Sequence, residues 1–312
     1  MGDRGLVLHV PQSWLEDDTQ MLPFYRKLGQ GLDRLDVPWA FEGIDRAIAI
    51  TRIESDRKFH IFNHGRVEHS RALNAGVAYI YPFWNLDPRG VRAFSSIGDQ
   101  KFRPFKIDSP KVKPFFGKLR DRWVTARDSR YDQPRSPEEL PEGAVAVFFQ
   151  SEADRDLGET CYLDRWTMLE TTLEARDGPV VVKPHPLEMD QDIFNRLLDV
   201  QKRYPQLVIS QGNIHDILAA CVRVVTINSA VGIEAFLHRK PVILCGKADF
   251  HHLTIVAQDR EALTQALRNE VSGRVYAKYL YWYFGKNCVD AGRDDVAEQV
   301  LRRVIGTGYE MS

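Results

Sequence analysis

Residues 223–246 run RVVTINSAVGIEAFLHRKPVILCG, and their reading decides the fold. Arg223 to Ile227 is a β-branched run that closes on a polar turn, and Pro241 to Leu244 is a second apolar run. Between them, Ala230 to His238 has the length and residue types of a short helix. The segment therefore reads strand, tight turn, helix, strand. Ser229, where the first strand ends beside Asn228, is placed as the helix N-cap. Gly232 permits close approach of backbone or ligand in the first turn. Free N–H groups at such a turn, with the helix dipole behind them, favour an anion. Glu234, two residues on, is a carboxylate able to accept hydrogen bonds from sugar hydroxyls. An ordinary βαβ turn with a solvated Glu fits the same letters, and both readings stand at this point.

Outward from this segment the rhythm repeats. Ala144 to Phe149, Pro179 to Lys183 and Leu207 to Ser210 read as strands; Leu163 to Arg176, Met189 to Tyr204 and His215 to Ala220 read as helices. Strands spaced by such helices pair in parallel, and the loops at their carboxyl ends line one crevice. Three of these loops carry candidates: Gln150-Ser151-Glu152-Ala153-Asp154-Arg155-Asp156, Lys183-Pro184-His185-Pro186, and Asn228 to Glu234. Together they supply carboxylates, a cationic or hydrogen-bonding group and an anion-binding helix start. Those parts suit displacement at a sugar carbon with a phosphate leaving group. The departing negative charge falls to the Ser229 hydroxyl, N–H groups near Gly232, His185 and Lys183. No metal is called for if these donors suffice. Asp154, with Glu152 and Asp156 as rivals, either takes the acceptor's proton or attacks the sugar. His185, held between two prolines, could instead simply cap a helix.

The first part of the chain reads as a separate α/β layer ending near residue 100. Strands are expected at Leu6 to Val10, Phe59 to Asn63 and Val77 to Tyr81, with helices at about Thr19 to Leu35 and Ile44 to Ile50. His60, His64 and His69 are expected to be surface or acceptor-groove histidines rather than a metal cluster. From Lys101 to Arg135 eleven Lys or Arg face four Asp, in a chain whose net charge is −1. Phe102, Phe105, Phe115, Phe116 and Trp123 are interleaved with these bases. The segment suits an anionic membrane surface, or a solvated helix that buries its aromatics. Gln133 to Gly143, with three prolines, is the linker candidate. Val275 to Gly285 is an aromatic helix and Asp294 to Ile305 an amphipathic one. The organisation expected is an α/β domain at 1–135, a Rossmann-like domain at 136–274, and helices at 275–312 packing across both. The four cysteines are scattered without a CxxC pair, and the start MGDRGLVLHVPQ has no signal-peptide pattern. No stretch has the length and apolarity of a membrane span. A cytoplasmic protein is expected, peripheral at the inner membrane if residues 101–135 meet lipid, with no nucleic-acid partner.

Taken together, QSEADRD (150–156), VKPHP (182–186), the stretch from His215 to Phe250 and YAKYLYWYFG (276–285) resemble the bacterial capsule polysaccharide biosynthesis family. That family includes transferases of 3-deoxy-D-manno-octulosonic acid (Kdo). The resemblance covers roughly residues 144–290. It implies a GT-B fold, with two Rossmann-like domains bridged by C-terminal helices, the acceptor bound by the N-terminal domain (1–135) and the nucleotide-sugar donor by the C-terminal one (136–274). It also implies CMP-Kdo as donor substrate, no further cofactor, and a glycan or glycolipid acceptor in capsule or lipopolysaccharide assembly. His185 and Ser229 would bind the phosphate, Glu234 the cytidine ribose, and Asp154 would be the nucleophile of a retaining β-Kdo transfer. In this sequence Arg155 and Asp156 follow Asp154 where a small polar residue is the expected pattern. A transferase or epimerase for another nucleotide sugar, and a non-catalytic assembly protein, are the alternative readings.

Overall fold

The computed structural model describes residues 4–107, 110–150, 160–269 and 275–311. By its internal contacts the chain divides into two units, residues 1–100 with 282–312, and residues 101–281. The sequence-based boundaries at 135/136 and 274/275 thus lie away from those of the contacts. Residues 101–135 belong with the second sheet, and residues 282–312 return to the first.

The first unit opens with β1 (Leu6–Val10), α1 (Pro23–Arg34), β2 (Trp39–Gly43), α2 (Ala49–Glu54), β3 (Phe59–Asn63), β4 (Ala72–Val77) and β5 (Phe83–Asp87). β1 pairs in parallel with β2 and β3, and β3 with β4, while β5 runs antiparallel to β4. Helix α1 starts at Pro23, later than expected, because Asp17 caps a separate 3-10 turn at Asp18–Gln20. The strand expected at Val77 to Tyr81 is a correction: β4 ends at Val77, and Tyr79 lies in the left-handed region at φ 68°, where a strand cannot continue. Phe24 stacks on Trp84 at 4.2 Å and Tyr25 meets the same indole edge-on at 5.7 Å, which anchors α1 to the sheet.

His60 is not on the surface. It is fully buried in β3, with Nδ1 2.9 Å from Nε2 of His9 on the neighbouring strand. Its Nε2–H donates to Asp56 at 3.1 Å. Burial and the adjacent His60 charge push His9 down to about 4, and burial also lowers His60. His64 is exposed at φ 46°, and His69 Nδ1 accepts from Arg71 N. Among the described residues no group of three or more His, Cys, Asp or Glu could hold a metal ion.

The second unit carries α3 (Val112–Arg120), β6 (Val145–Phe148), α4 (Arg165–Glu174), β7 (Val180–Lys183), α5 (Gln191–Arg203) and β8 (Leu207–Ile209). It continues with α6 (Ile214–Ala220), β9 (Arg223–Thr226), α7 (Val231–Leu237), β10 (Val242–Leu244), β11 (Ile255–Val256), α8 (Arg260–Arg268) and α9 (Tyr276–Leu280). Polar side chains start four of its helices: Asp164, Asp190, Asn213 and Asp259 each accept a backbone N–H of the first turn. All its strand pairs are parallel, in the order β11-β10-β9-β6-β7-β8. The chain winds outward from β6 to β8, then crosses back to place β9 on the other side of β6. That reversal between β6 and β9 is the topological switch point, where such sheets open a crevice.

Residues 101–135 spend most of their aromatics on packing. Phe116 and Trp123 are buried, Phe102 meets Tyr279 edge-on at 5.1 Å, and Phe115 meets Tyr281 at 5.4 Å. Phe105 is the exception at 74 % exposed. The proline-rich stretch at 133–143 lies inside this unit and joins no two domains: Glu138 accepts from the Ser210 hydroxyl, and its N–H donates to Asp216. The chain then returns to the first unit with β12 (Val289–Asp290), antiparallel to β5, and α10 (Val296–Gly306). Among the described residues no helix is long and apolar enough to cross a membrane.

Candidate functional site

Lys183, Phe148 and Thr226 stand side by side at the carboxyl ends of β7, β6 and β9. His185, Gln150 and Asn228 each follow two residues later. The three loops read from sequence therefore leave the sheet in register at the switch point, and the outer two lie about 10 Å apart across β6.

The centre of this edge is a clasp. Gln150 is buried; its amide N–H donates to Asn228 Oδ1 at 3.0 Å, and its Oε1 accepts from Asn228 N at 3.3 Å. Asn228 Nδ2 donates onward to Lys247 O at 3.0 Å. The side chain of Asn228 thus fastens β6, β9 and the loop after β10 to one another. Its role in the structure is to hold the floor of the crevice.

Helix α7 starts one residue later than expected. Ala230 occupies the cap position, and the Ser229 hydroxyl accepts from Val231 N at 3.4 Å from just outside it. Gly232 is closely packed: a Cβ there would lie 2.7 Å from the Phe250 ring. Glu234 is not a solvated carboxylate. It is 4 % exposed, and the Ser129 hydroxyl donates to its Oε1 at 2.6 Å. Burial pushes its carboxyl up to about 7, opposed by the Ser129 hydrogen bond and aided by the charge of Asp128.

Lys183 is buried, and Nζ donates to Gln211 O at 3.1 Å and Gly212 O at 2.6 Å. Burial lowers its pKa. Its ammonium braces β7 against the loop after β8. His185 is half-buried; its Nδ1 accepts from Leu187 N at 3.2 Å, so the proton of the neutral ring sits on Nε2. The Tyr131 ring stands edge-on to it at 4.9 Å. Glu152, Asp154 and Asp156 lie outside the described residues.

A segment that sequence reasoning placed outside the site runs over these residues. Arg127, at φ 55°, pairs with Asp216, with Nη2 to Oδ2 at 3.0 Å. The Asp128 carbonyl accepts from His215 Nε2 at 2.6 Å, while Ser129 and Tyr131 reach Glu234 and His185. No periodicity or motif marks these four residues. Their partners lie tens of residues away, and only folding brings them together.

Residues 150–287 match the model of the family described as capsule polysaccharide biosynthesis protein, beginning at the clasp residue Gln150. That stretch of the chain is similar to the family. The chain is also 29 % identical over 199 residues to Protein FixF of Sinorhizobium fredii (strain NBRC 101917 / NGR234). That match takes in 58 % of this chain and 44 % of the relative's length. Two solved structures share its fold, both from Thermosulfurimonas dismutans KpsC. The beta Kdo 2,7 transferase is 13 % identical with a TM-score of 0.55, covering 88 % of each chain. The beta Kdo 2,4 transferase is 14 % identical with a TM-score of 0.54, covering 89 % of this chain and 90 % of that one. The α/β class and GT-B type expected from sequence are therefore those of the fold.

Proposed function

We propose that this protein is a glycosyltransferase of polysaccharide assembly that draws its sugar from CMP-Kdo and transfers it to a glycan or glycolipid with retention. The observation that carries the reading is the register of the three loops at one switch point. His185 and Ser229 follow the ends of β7 and β9, and the helix after Ser229 carries the buried, hydroxyl-bonded Glu234. In this reading the Nε2–H of His185, the Ser229 hydroxyl and nearby backbone N–H groups neutralise the departing cytidine monophosphate. Glu234 accepts from the ribose, and Lys183, Gln150 and Asn228 hold the loops in place. Asp154 is the nucleophile, with Glu152 as its rival: its carboxylate displaces the phosphate from the anomeric carbon. The acceptor hydroxyl then displaces the carboxylate and loses its proton, so two inversions retain configuration.

The test is incubation with CMP-Kdo generated in situ and a panel of glycan and glycolipid acceptors, read by mass spectrometry. A Kdo adduct with release of CMP, unchanged by EDTA, is the expected result. Turnover of a UDP-sugar instead, or none with any donor, would sink the CMP-Kdo assignment. Loss of activity in EDTA would move Asp154 and Asp156, spaced as D-x-D, to a metal-binding role. Contact with an anionic membrane rests on the exposed Phe105 between Arg103 and Lys106. Pelleting with phosphatidylglycerol vesicles at 0.1 M but not 1 M salt is expected, and its absence at both would remove that partner.

A further inference from the structure

Glu234 is sealed, and what seals it is a hydroxyl. The ring of contacts around the carboxylate leaves 4 % of the residue exposed, and its Oε1 already accepts from Ser129 at 2.6 Å. A ribose can reach this carboxylate only if something moves. Helix α7 is not the element to move: its seven residues are all buried, and Gly232 packs directly under the Phe250 ring. The covering segment is held differently. Its bonds are polar and run from its own side chains and backbone: Arg127 to Asp216, Asn213 Nδ2 to Arg127 O at 3.3 Å, and Gln133 Oε1 from Ile214 N at 3.1 Å. Ser129, Arg130 and Tyr131 are all at least partly exposed.

We propose that residues 127–133 form a strap over the donor site, in which Ser129 occupies the hydroxyl position on Glu234 that a nucleotide's ribose takes when it binds. The inference rests on the donor reading above. Two contacts support it independently. Ser129 presents to Glu234 the same group, an O–H donor, that a ribose 2′- or 3′-hydroxyl would present. Two residues later in the same strap, Tyr131 packs on His185, the side chain assigned to the phosphate. One short segment thus engages both the ribose-binding and the phosphate-binding residue. Ser129 and Tyr131 then set donor affinity by competition: the nucleotide gains its bonds to Glu234 at the loss of the strap's own. Exchange of one hydroxyl for another on a buried carboxylate keeps the acceptor satisfied in both states, which is what makes the alternation possible.

The experiment is isothermal titration of the full chain with CMP at pH 8, for wild type, Ser129→Ala and Glu234→Ala. Removal of the competing hydroxyl is expected to tighten CMP binding about tenfold in Ser129→Ala, while Glu234→Ala weakens it. Hydrogen exchange on the wild-type protein is the second readout, since it needs no variant to fold: saturating CMP should speed exchange of the amides at 128–131. Wild type and Ser129→Ala binding CMP equally, or slower exchange at 128–131 on CMP addition, overturns the strap. No CMP binding by either protein overturns the donor reading itself, and the strap with it.

Discussion

At pH 8 the Glu234→Gln variant is expected to melt at a higher temperature than the wild-type protein, and at pH 4 at the same temperature. The reason is the burial of an acid that ionises near neutrality. Burial pushes its pKa up to about 7 in the folded protein from an ordinary 4.5. The folded state therefore binds the proton more tightly than the unfolded chain. The associated stability is fully present below about pH 4.5 and is lost as pH rises through about 7. A shift of this size corresponds to about 3 kcal/mol, or several degrees of melting temperature for a unit of this length. Glutamine keeps the carbonyl oxygen that accepts from Ser129 and carries no charge at any pH. The same variant should bind CMP poorly, because one oxygen of the pair becomes an N–H donor. Melting curves across pH 4 to 8 with parallel CMP titrations check both halves. A variant less stable than wild type at pH 8 would show that the ionised carboxylate is well accommodated.

The His185→Ala variant should lose about 10²–10³ in kcat, the usual cost of removing one preorganised donor to developing charge. Its melting temperature should change little, since the side chain is half-buried and its hydrogen bond to Leu187 N is local. That local bond supplies the control. An Asn at 185 can accept from Leu187 N in the same kind of turn but offers no imidazole at the crevice. If His185 serves only to shape the turn, His185→Asn restores activity. If it meets the leaving phosphate, His185→Asn remains as slow as the alanine variant. Steady-state kinetics with CMP-Kdo, and thermal melts of both variants, separate the two.

Most of the second sheet was legible before folding was considered. VAVF, VVVK and RVVT are buried on both faces, so they read as unbroken apolar runs, and the structure sets their ends within a residue or two. The helices between them announce their starts through Asp164, Asp190 and Asn213. The first unit was harder because its strands carry buried polar residues. Asn74 interrupts β4, yet it is satisfied by Val67 N and O at 2.9 Å and by Asp87 O at 3.2 Å. A polar letter whose partners are distant looks like a turn when read locally, which is how the strand was sought at Val77 to Tyr81. In the basic stretch, Phe116 and Trp123 bury themselves in the second unit, as the solvated-helix reading expects, while Phe105 stays exposed.

The sequence by itself determined the alternation of strand and helix from residue 144 onward, the parallel pairing it requires, and which loops would emerge together. Those properties follow from periodicity and capping, which act over a few residues. Tertiary structure alone decided the state of each group in those loops. It turned Asn228 and Lys183 into braces, filled the space above Gly232 with the Phe250 ring, and set Ser129 on a carboxylate 105 residues away. Burial and long-range hydrogen bonds depend on what the rest of the chain brings alongside, and no local pattern records that.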